Sequence, residues 1–317
     1  MPIDPLVSVL IPAYNAEQWF AETLESVKNQ THRNLEVIVV DDGSKDKTAA
    51  IADAFSRAFN KLVLVQQRNR GQTAALNIAL HHASGKYIQY LDADDILLPQ
   101  KIEMQVHRLE SNPGYIASAA WGRFHDHQDN TRFISDSTWQ DMQPVDWLIT
   151  NWSVGGMMFP GMWLIPSDLA RCVGPWREDL TLLNDTEYFP RVILASKGVL
   201  FCDAARVCYR SGLPGSLSGR KSPAALLSAF QVIAACEANL LGAENSLRAR
   251  QVLSAFWQKF AHSAYPHFPG LANEALRRAF TLHPEKKEPD GGGTFRFVSS
   301  VLGWKAARLL QKWSGRE

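Results

Sequence analysis

The chain of 317 residues has a mass of 35.4 kDa, with 46% hydrophobic and 21% charged residues, so it can bury a full core as one large domain or two smaller ones. A formal net charge of +1 and a pI near 7.7 provide no broad basic face, which argues against nucleic acid as a partner bound by bulk electrostatics. Four cysteines without CxxC spacing argue against a zinc knuckle or a disulfide scaffold and indicate a reducing compartment, by default the cytoplasm.

No membrane-crossing segment is predicted. The amino-terminal stretch MPIDPLVSVLIPAYN has no basic region, and its apolar run is short and strand-like, so we expect neither a signal peptide nor a span there. Elsewhere no stretch reaches the ~18 uninterrupted apolar residues that a spanning helix requires.

From about residue 6 to residue 109, short β-rich runs alternate with helical periodicity. The predicted strands are, in order, LVSVLI, LEVIVV, LVLVQ and YIQYL. Helical spacing follows each of them, as in the register of Ile102, Val106 and Leu109 after the fourth. This is the pattern of βαβ units, so we predict an α/β fold with a Rossmann-like, mostly parallel central sheet.

Polar residues follow three of these strands. Asn15 comes after the first strand, Asp41 and Asp42 after the second, and the segment 92–95 after the fourth. Ligands in open α/β sheets bind outside the carboxyl ends of the strands, so we expect a site there.

The remainder of the chain divides into two parts. Residues 115–222 contain two more strand-like runs, YIASAAW and GVLFCDAARVCYR, and we assign them to the first domain. From Pro223 the pattern is helical to about Leu282, and a final helix is predicted from Phe295 to Trp313. The predicted organisation is therefore a domain over residues 1–222 and a helical extension over residues 223–317.

The acidic run LDADD contains Asp92, Asp94 and Asp95. Carboxylates this close repel each other and raise each other's pKa unless a positive group lies between them. Mg²⁺ and Mn²⁺ bind one or two carboxylates together with substrate phosphate oxygens, so a metal-diphosphate site is the favoured interpretation. The alternative is a helix start, with an Asp cap and Pro99 in the first turn, but three carboxylates exceed what a cap requires.

The second acidic run, VVDDGSKD, also has two interpretations. Asp-Gly after an apolar run is a turn signal. Because the following pattern is helical, the turn lies between a strand and a helix, where a carboxylate could accept the N3 proton of a uracil ring.

Taken together, the segments VSVLIPAYN, VDDGSKDKT, NRGQTAALN, YIQYLDADD and YRSGLPGSLS resemble the successive motifs of family 2 glycosyltransferases. The resemblance covers about residues 6–218. It implies a GT-A type fold and the inverting transfer of a sugar from a nucleotide diphosphate, usually UDP, to an acceptor hydroxyl, with Mg²⁺ or Mn²⁺ as cofactor.

The resemblance also implies roles for individual residues. The metal ligand would be Asp94, and the catalytic base that deprotonates the acceptor hydroxyl would be Asp185. The implied nucleotide-binding residues are Pro12, Ala13, Tyr14, Asp41, Asp42, Asn69, Gly71, Asp92 and Ala93. A residue-based alternative for Asp185 is a capping box, in which Asn184 and Glu187 close the start of a helix.

Three positions depart from the family pattern. Leu76 stands where an Arg commonly precedes the Asn of the third motif, Gly212 replaces a His two residues after Arg210, and Asn184 replaces the Glu of a Glu-Asp pair. These departures keep open a sugar-nucleotide-binding protein without catalysis. A third interpretation is an aspartate-nucleophile phosphatase, because IQYLDADDIL also resembles the hhhhDxDx core of those enzymes.

The predicted terminal helix over residues 295–313 is amphipathic. Val298, Val301, Leu302, Leu309 and Trp313 share one face, and the basic residues are Arg296, Lys305, Arg308, Lys312 and Arg316. Such a helix suits a peripheral contact with an anionic membrane and hence a lipid-linked acceptor, as an alternative to a soluble saccharide. The other interpretation is a helix that packs on its own domain.

Overall fold

The computed structural model describes residues 4–213, 222–287, 289 and 292–313. The strands are β1 (Val7–Ala13), β2 (Leu35–Asp41), β3 (Leu62–Gln66), β4 (Tyr87–Tyr90), β5 (Ile96–Leu97), β6 (Ile116–Phe124), β7 (Arg132–Phe133), β8 (Ile165–Pro166) and β9 (Val199–Arg210). The helices are α1 (Phe20–Lys28), α2 (Thr48–Ala54), α3 (Gln72–His82), α4 (Lys101–Glu110), α5 (Pro144–Val154), α6 (Ser167–Cys172), α7 (Asn184–Ala195), α8 (Pro223–Ala243), α9 (Leu247–Ala264), α10 (Pro269–Leu282), α11 (Gly293–Leu302) and α12 (Trp304–Trp313).

A five-stranded central sheet has the order β3-β2-β1-β4-β8. The first four strands are parallel, and the short β8 pairs antiparallel with β4. Every residue of β1, β2 and β4 is buried, as expected for central strands covered by helices on both faces. The carboxyl ends of β1, β2 and β4 therefore lie at one edge of the sheet, and the predicted α/β architecture is confirmed.

A second sheet of four strands has the order β5-β9-β6-β7. In it β6 and β9 run parallel, while β5 pairs antiparallel with β9 directly after the acidic run. One apolar core joins the two sheets and includes Ile38, Tyr90 and Trp163. The second sheet thus places the carboxyl end of β9 beside the segment 92–95.

The C-terminal region begins with α8, a 21-residue helix that is long and apolar enough to cross a bilayer. Core helices have the same length and composition, and α8 packs against α7 and α9 with a buried side that includes Val232, Ile233 and Leu240. In the structure it acts as the support on which α7 lies.

The prediction of one terminal helix from Phe295 to Trp313 is wrong. Gly303 adopts a φ of +81°, in the region that favours glycine, and divides the segment into α11 and α12. The two helices pack against each other, so the apolar residues do not form one straight stripe. Arg316 lies outside the described residues.

Candidate active site

The loop after β1 is held to the loop after β2. Pro12 and Ala13 are buried in β1, and Tyr14 follows with half of its surface exposed at the sheet edge. Asn15 has a φ of +48°; its backbone N–H donates to Ser44 Oγ at 2.9 Å, and its Oδ1 accepts from the N–H of Lys45 at 2.9 Å. These bonds fix the backbone next to Tyr14 at the carboxyl end of β1, and its role in lining a nucleoside stays a prediction.

Asp41 and Asp42 are both buried at the end of β2, but they have different partners. Asp41 accepts hydrogen bonds from the backbone N–H of Ser44 at 3.1 Å and from Gln66 at 3.4 Å. Asp42 accepts from Gln67 at 2.6 Å and, through both carboxylate oxygens, from the N–H groups of residues 70 and 71 at 2.8 Å. Asp42 therefore shapes the neighbouring loop, whereas the hydrogen bonds of Asp41 are fewer and longer.

The loop that carries Asn69 and Gly71 leads into α3. Gly71 has a φ of +94°, which a side chain would strain, and a Cβ added there would meet no atom within 4 Å. At Gly43 an added Cβ would lie 2.9 Å from the backbone nitrogen of Asn69. Close approach of the two loops therefore requires glycine at residue 43, and open space lies beside residue 71.

Asp92, Asp94 and Asp95 form a tight turn between β4 and β5. The backbone N–H of Asp95 donates to the carbonyl of Asp92 at 3.2 Å, and Thr23 donates to the carbonyl of Ala93 at 3.0 Å. The turn leads into a strand, and the next helix begins only at Lys101. The helix-start interpretation of these carboxylates is therefore wrong.

Arg210, at the end of β9, is a positively charged residue that donates hydrogen bonds to this turn. Its backbone N–H donates to Asp95 Oδ1 at 2.9 Å, and its Nε donates to the carbonyl of Asp94 at 3.0 Å. Its guanidinium lies over the rings of Trp19 and Phe124 and is buried. Because the guanidinium also pairs with Glu22 at 2.5 Å, its charge is shared, and the turn is short of positive charge.

The carboxyl groups of the turn hold their protons more tightly than ordinary aspartates. Burial, together with the charges of Asp94 and Asp185, raises the pKa of Asp92 to about 8. Burial also raises the pKa of Asp94 and places that of Asp95 well above its usual range, and the nearby Arg210 opposes both shifts only in part. The arrangement is thus unfavourable for three free carboxylates and favourable for an added cation.

The donor set fits a cation shared with a bound ligand. Asp95 Oδ2 is buried and lacks a hydrogen-bond partner among the described residues, and the Asp94 carboxylate receives no side-chain hydrogen bond in the described part of the chain. Across the described ranges, no group of three or more His, Cys, Asp or Glu side chains is arranged to hold a metal. Mg²⁺ or Mn²⁺ would therefore need oxygen ligands from a diphosphate, as is usual for these ions.

Asp185 lies in the first turn of α7, and its charge contributes to the raised pKa of Asp92. Gln72 connects the two regions: its Nε2 donates to Asp92 Oδ1 at 2.8 Å, and its Oε1 accepts from Asn184 Nδ2 at 3.1 Å. Burial raises the pKa of Asp185 to about 6, although Thr186 donates hydrogen bonds to it. Asp185 is thus suited to exchange a proton near neutral pH.

The structure contradicts the capping-box interpretation of α7. Asn184 Oδ1 accepts from the adjacent N–H of Asp185, and Glu187 pairs with Arg191 at 2.9 Å instead of reaching the helix start. The residue before the helix, Leu183, has a φ of +57° and makes no side-chain cap. The start of α7 is therefore held by other contacts.

Those contacts come from α8, in the C-terminal region. Ser228 Oγ accepts from the N–H groups of Thr181 and Leu182, each at 3.1 Å, and donates to the carbonyl of Leu182 at 2.9 Å. Pro190, inside α7, has no N–H for the carbonyl of Thr186, and Cys236 Sγ donates to that carbonyl at 3.3 Å instead. The helical extension thus supports the segment that carries Asp185.

Sequence reasoning did not identify the roles of Gln72, Arg210 or Ser228. Of the departures from the family pattern, Leu76 is buried in the core. Gly212 has a φ of +81°, and a Cβ added to it would lie 3.0 Å from Nδ1 of His125. The motif residues 214–218 lie outside the described residues.

The protein-family comparison decides the classification. The model of glycosyl transferase family 2 matches residues 8–173, just over half of the chain. The chain belongs to glycosyltransferase family 2. The predicted family is confirmed, and membership removes the aspartate-nucleophile phosphatase interpretation.

Similar proteins agree with this family and fold. An uncharacterised glycosyltransferase of Rickettsia typhi is 30% identical over 61% of this chain and 60% of its own length. The Escherichia coli protein named UDP-Glc:alpha-D-GlcNAc-diphosphoundecaprenol beta-1,3-glucosyltransferase WfgD is 41% identical over 34% of this chain and 43% of its own length. The matches span 16% to 60% of the length of these and the other curated relatives.

Among solved structures, the crystal structure of S. aureus TarS 1-349 in complex with UDP-GlcNAc superposes with a TM-score of 0.72. The two chains are 19% identical, and the match covers 87% of this chain and 81% of that one. This likeness confirms the GT-A type fold, including the helical C-terminal region.

Proposed function

We propose that this protein transfers a sugar from a UDP-sugar to an acceptor hydroxyl, with inversion at the anomeric carbon and with the aid of Mg²⁺ or Mn²⁺. The proposal rests on two features that Gln72 connects. The first is the turn of residues 92–95, whose carboxyl groups lack a balancing cation. The second is Asp185, a separate carboxylate with a raised pKa. One group suits a diphosphate with its cation, and the other suits proton removal.

The donor is proposed to lie across the carboxyl ends of β1, β2 and β4. Tyr14 and the buried Pro12 and Ala13 would line the nucleoside, and Asp41 would accept the N3 proton of uracil. The open space at Gly71 and the loop of Asn69 provide room close to the backbone for the nucleotide. UDP as the nucleotide is supported by the relatives, since TarS is described in complex with UDP and UDP-GlcNAc, and WfgD is named for UDP-Glc.

Asp94 would hold the divalent cation, with Asp92 and Ala93 beside the nucleotide. The chemistry that such an ion would supply is neutralisation of the negative charge that develops on the leaving UDP. Asp95 accepts a hydrogen bond from the backbone N–H of Arg210 through one oxygen, which fixes the shape of the turn, and its other oxygen has no partner among the described residues.

Asp185 would remove the proton of the attacking hydroxyl. Its Oδ1 accepts from Thr186, which fixes the side chain near the first turn of α7. A carboxylate with a pKa of about 6 is largely ionised at neutral pH and still basic enough to accept a proton in the transition state.

The acceptor is proposed to be a saccharide or a lipid-linked saccharide, and the protein to act in the cytoplasm. The lipid-linked form is supported by the name of WfgD, which specifies a diphosphoundecaprenol acceptor.

Two assays test the proposal. Thermal-shift measurements with UDP, UDP-Glc, UDP-GlcNAc and, as a control, ADP, each with EDTA or Mn²⁺, should show stabilisation by UDP compounds that requires the metal. UDP release with the stabilising donor and a panel of saccharide acceptors should then exceed that of Asp185→Asn. If the protein binds UDP-sugars but releases no UDP with any acceptor or with water, the non-catalytic alternative is supported. If no UDP compound stabilises the protein, the donor assignment is refuted.

A further inference from the structure

The helices α11 and α12 expose a set of large apolar side chains. We define the C-terminal apolar surface as Phe297, Val301 and Leu302 of α11 with Leu309, Leu310 and Trp313 of α12, which are exposed by 70%, 66%, 62%, 41%, 49% and 85%. Among the described residues, six of the twelve large apolar side chains that are exposed belong to this 17-residue stretch, and the other six, such as Ile134, are scattered along the sequence. A concentration of this kind commonly marks a binding surface.

The two helices dock on the protein through other residues. Trp304 contacts the rings of His262 and Tyr265, with centroid distances of 4.6 and 5.4 Å. Phe295 and Ala307 are buried, and the guanidinium of Arg308 lies 4.7 Å from the ring of Phe295. These contacts hold the two helices to the end of α9 and to each other, and they leave the C-terminal apolar surface exposed.

The charge of the segment has one sign. Residues 293–313 contain four basic residues and no Asp or Glu. Arg296 and Lys312 are exposed on the same two helices as the apolar set. Lys305 is half-buried, where it donates to Asn273 at 2.9 Å. Basic residues that flank exposed aromatic and aliphatic side chains are typical of helices that lie in the surface of an anionic bilayer.

We propose that the C-terminal apolar surface binds an anionic lipid bilayer, with Trp313 and the aliphatic residues entering the headgroup region and with Arg296 and Lys312 contacting lipid phosphates. The bend at Gly303 lets two short helices present their apolar residues without one continuous stripe. The alternative occupant, a second copy of the chain, is disfavoured by charge. A two-fold contact places identical patches against each other, and here it would bring basic side chains together without acidic partners.

Vesicle co-sedimentation of the full chain tests this inference without any donor or acceptor, so its outcome is separate from that of the proposed transfer reaction. The full chain should sediment with phosphatidylglycerol-containing vesicles and much less with pure phosphatidylcholine. The double variant Leu310→Gln/Trp313→Gln should lower the bound fraction at least tenfold, and Arg296→Gln/Lys312→Gln should lower it and weaken its dependence on salt. Ile134→Gln, at an apolar side chain that is 75% exposed away from these helices, is the matched control and should bind as the unchanged protein does.

Melting curves of all variants should coincide, because every replaced side chain is exposed. Equal sedimentation of Leu310→Gln/Trp313→Gln and the unchanged protein would overturn the inference. A concentration-dependent dimer mass in light scattering that this double variant abolishes, with no vesicle binding by either protein, would assign the surface to a second copy instead.

Discussion

The side-chain amide of Gln72 donates a hydrogen bond of 2.8 Å to Asp92, and the carbonyl oxygen of the same amide accepts one of 3.1 Å from Asn184. One side chain at the start of α3 therefore connects the acidic turn after β4 with the residue that precedes Asp185. The connection crosses 112 positions of sequence between Gln72 and Asn184. It sets the position of the proposed catalytic base relative to the proposed donor site.

Gln72→Met keeps a side chain of similar size but removes both hydrogen bonds. Two hydrogen bonds of about 0.5–1.5 kcal/mol each are lost, so kcat/KM should fall by roughly 5- to 150-fold. Steady-state kinetics measure this change, and Gln251→Met on the exposed side of α9 is the matched control. Unchanged kinetics in Gln72→Met would mean that the connection has no role in the reaction.

Asp185→Asn preserves the size of the side chain but removes its ability to take a proton. UDP affinity should be retained, and turnover should fall by about 10²–10⁴-fold, the usual contribution of general base catalysis. Calorimetry and a UDP-release assay measure the two quantities.

Asp179→Asn is the matched control, because Asp179 is an exposed carboxylate that pairs with Arg177 at 2.6 Å. Glu187→Gln is a less clean comparison, since Glu187 is buried and paired with Arg191. Near-normal turnover in Asp185→Asn together with an inactive Asp179→Asn or Glu187→Gln would move the role of base to that residue.

The pH dependence should report the raised pKa of Asp185. The base is inactive when protonated, so kcat should decrease with unit slope below a pKa of about 6, which lies about two units above the usual range of an aspartate. The profile should be recorded at saturating Mn²⁺ and donor, with UDP affinity measured over the same pH range. A decrease that persists in the residual activity of Asp185→Asn would show that another group titrates.

Ser228→Ala tests the support that α8 gives to the start of α7. The change leaves the N–H groups of Thr181 and Leu182 without their partner, which costs about 1–3 kcal/mol. We expect a lower melting temperature by roughly 2–4 °C for each kcal/mol, and lower turnover at unchanged UDP affinity. Ser153→Ala is the control, because that hydroxyl donates only to the carbonyl of Ile149 within α5. Full turnover in Ser228→Ala would show that Asp185 does not depend on this contact.

Sequence patterns could predict features that depend on residues only a few positions apart in the chain. The apolar run before Asp41 predicted a buried strand correctly, because that signal lies within a few positions. The cation site that the charge density of residues 92–95 indicates is an equally local signal and stays a prediction. The roles of Gln72 and Ser228 depend on partners that the fold brings from 20 to 112 positions away, and no local pattern contains them. Gly303 was missed for another reason: a single glycine is tolerated inside a helix, and only its positive φ reveals the break.

The central claim is that the acidic turn holds a divalent cation together with the diphosphate of UDP. Calorimetric titration of UDP into the full chain, in EDTA and in Mn²⁺, tests it most directly for the unchanged protein and for Asp94→Ala. We expect weak binding in EDTA, because the buried carboxyl groups of Asp92, Asp94 and Asp95 then offer the diphosphate no positive charge, and much tighter binding in Mn²⁺ that Asp94→Ala abolishes. Equal UDP affinity in EDTA and in Mn²⁺ would contradict it.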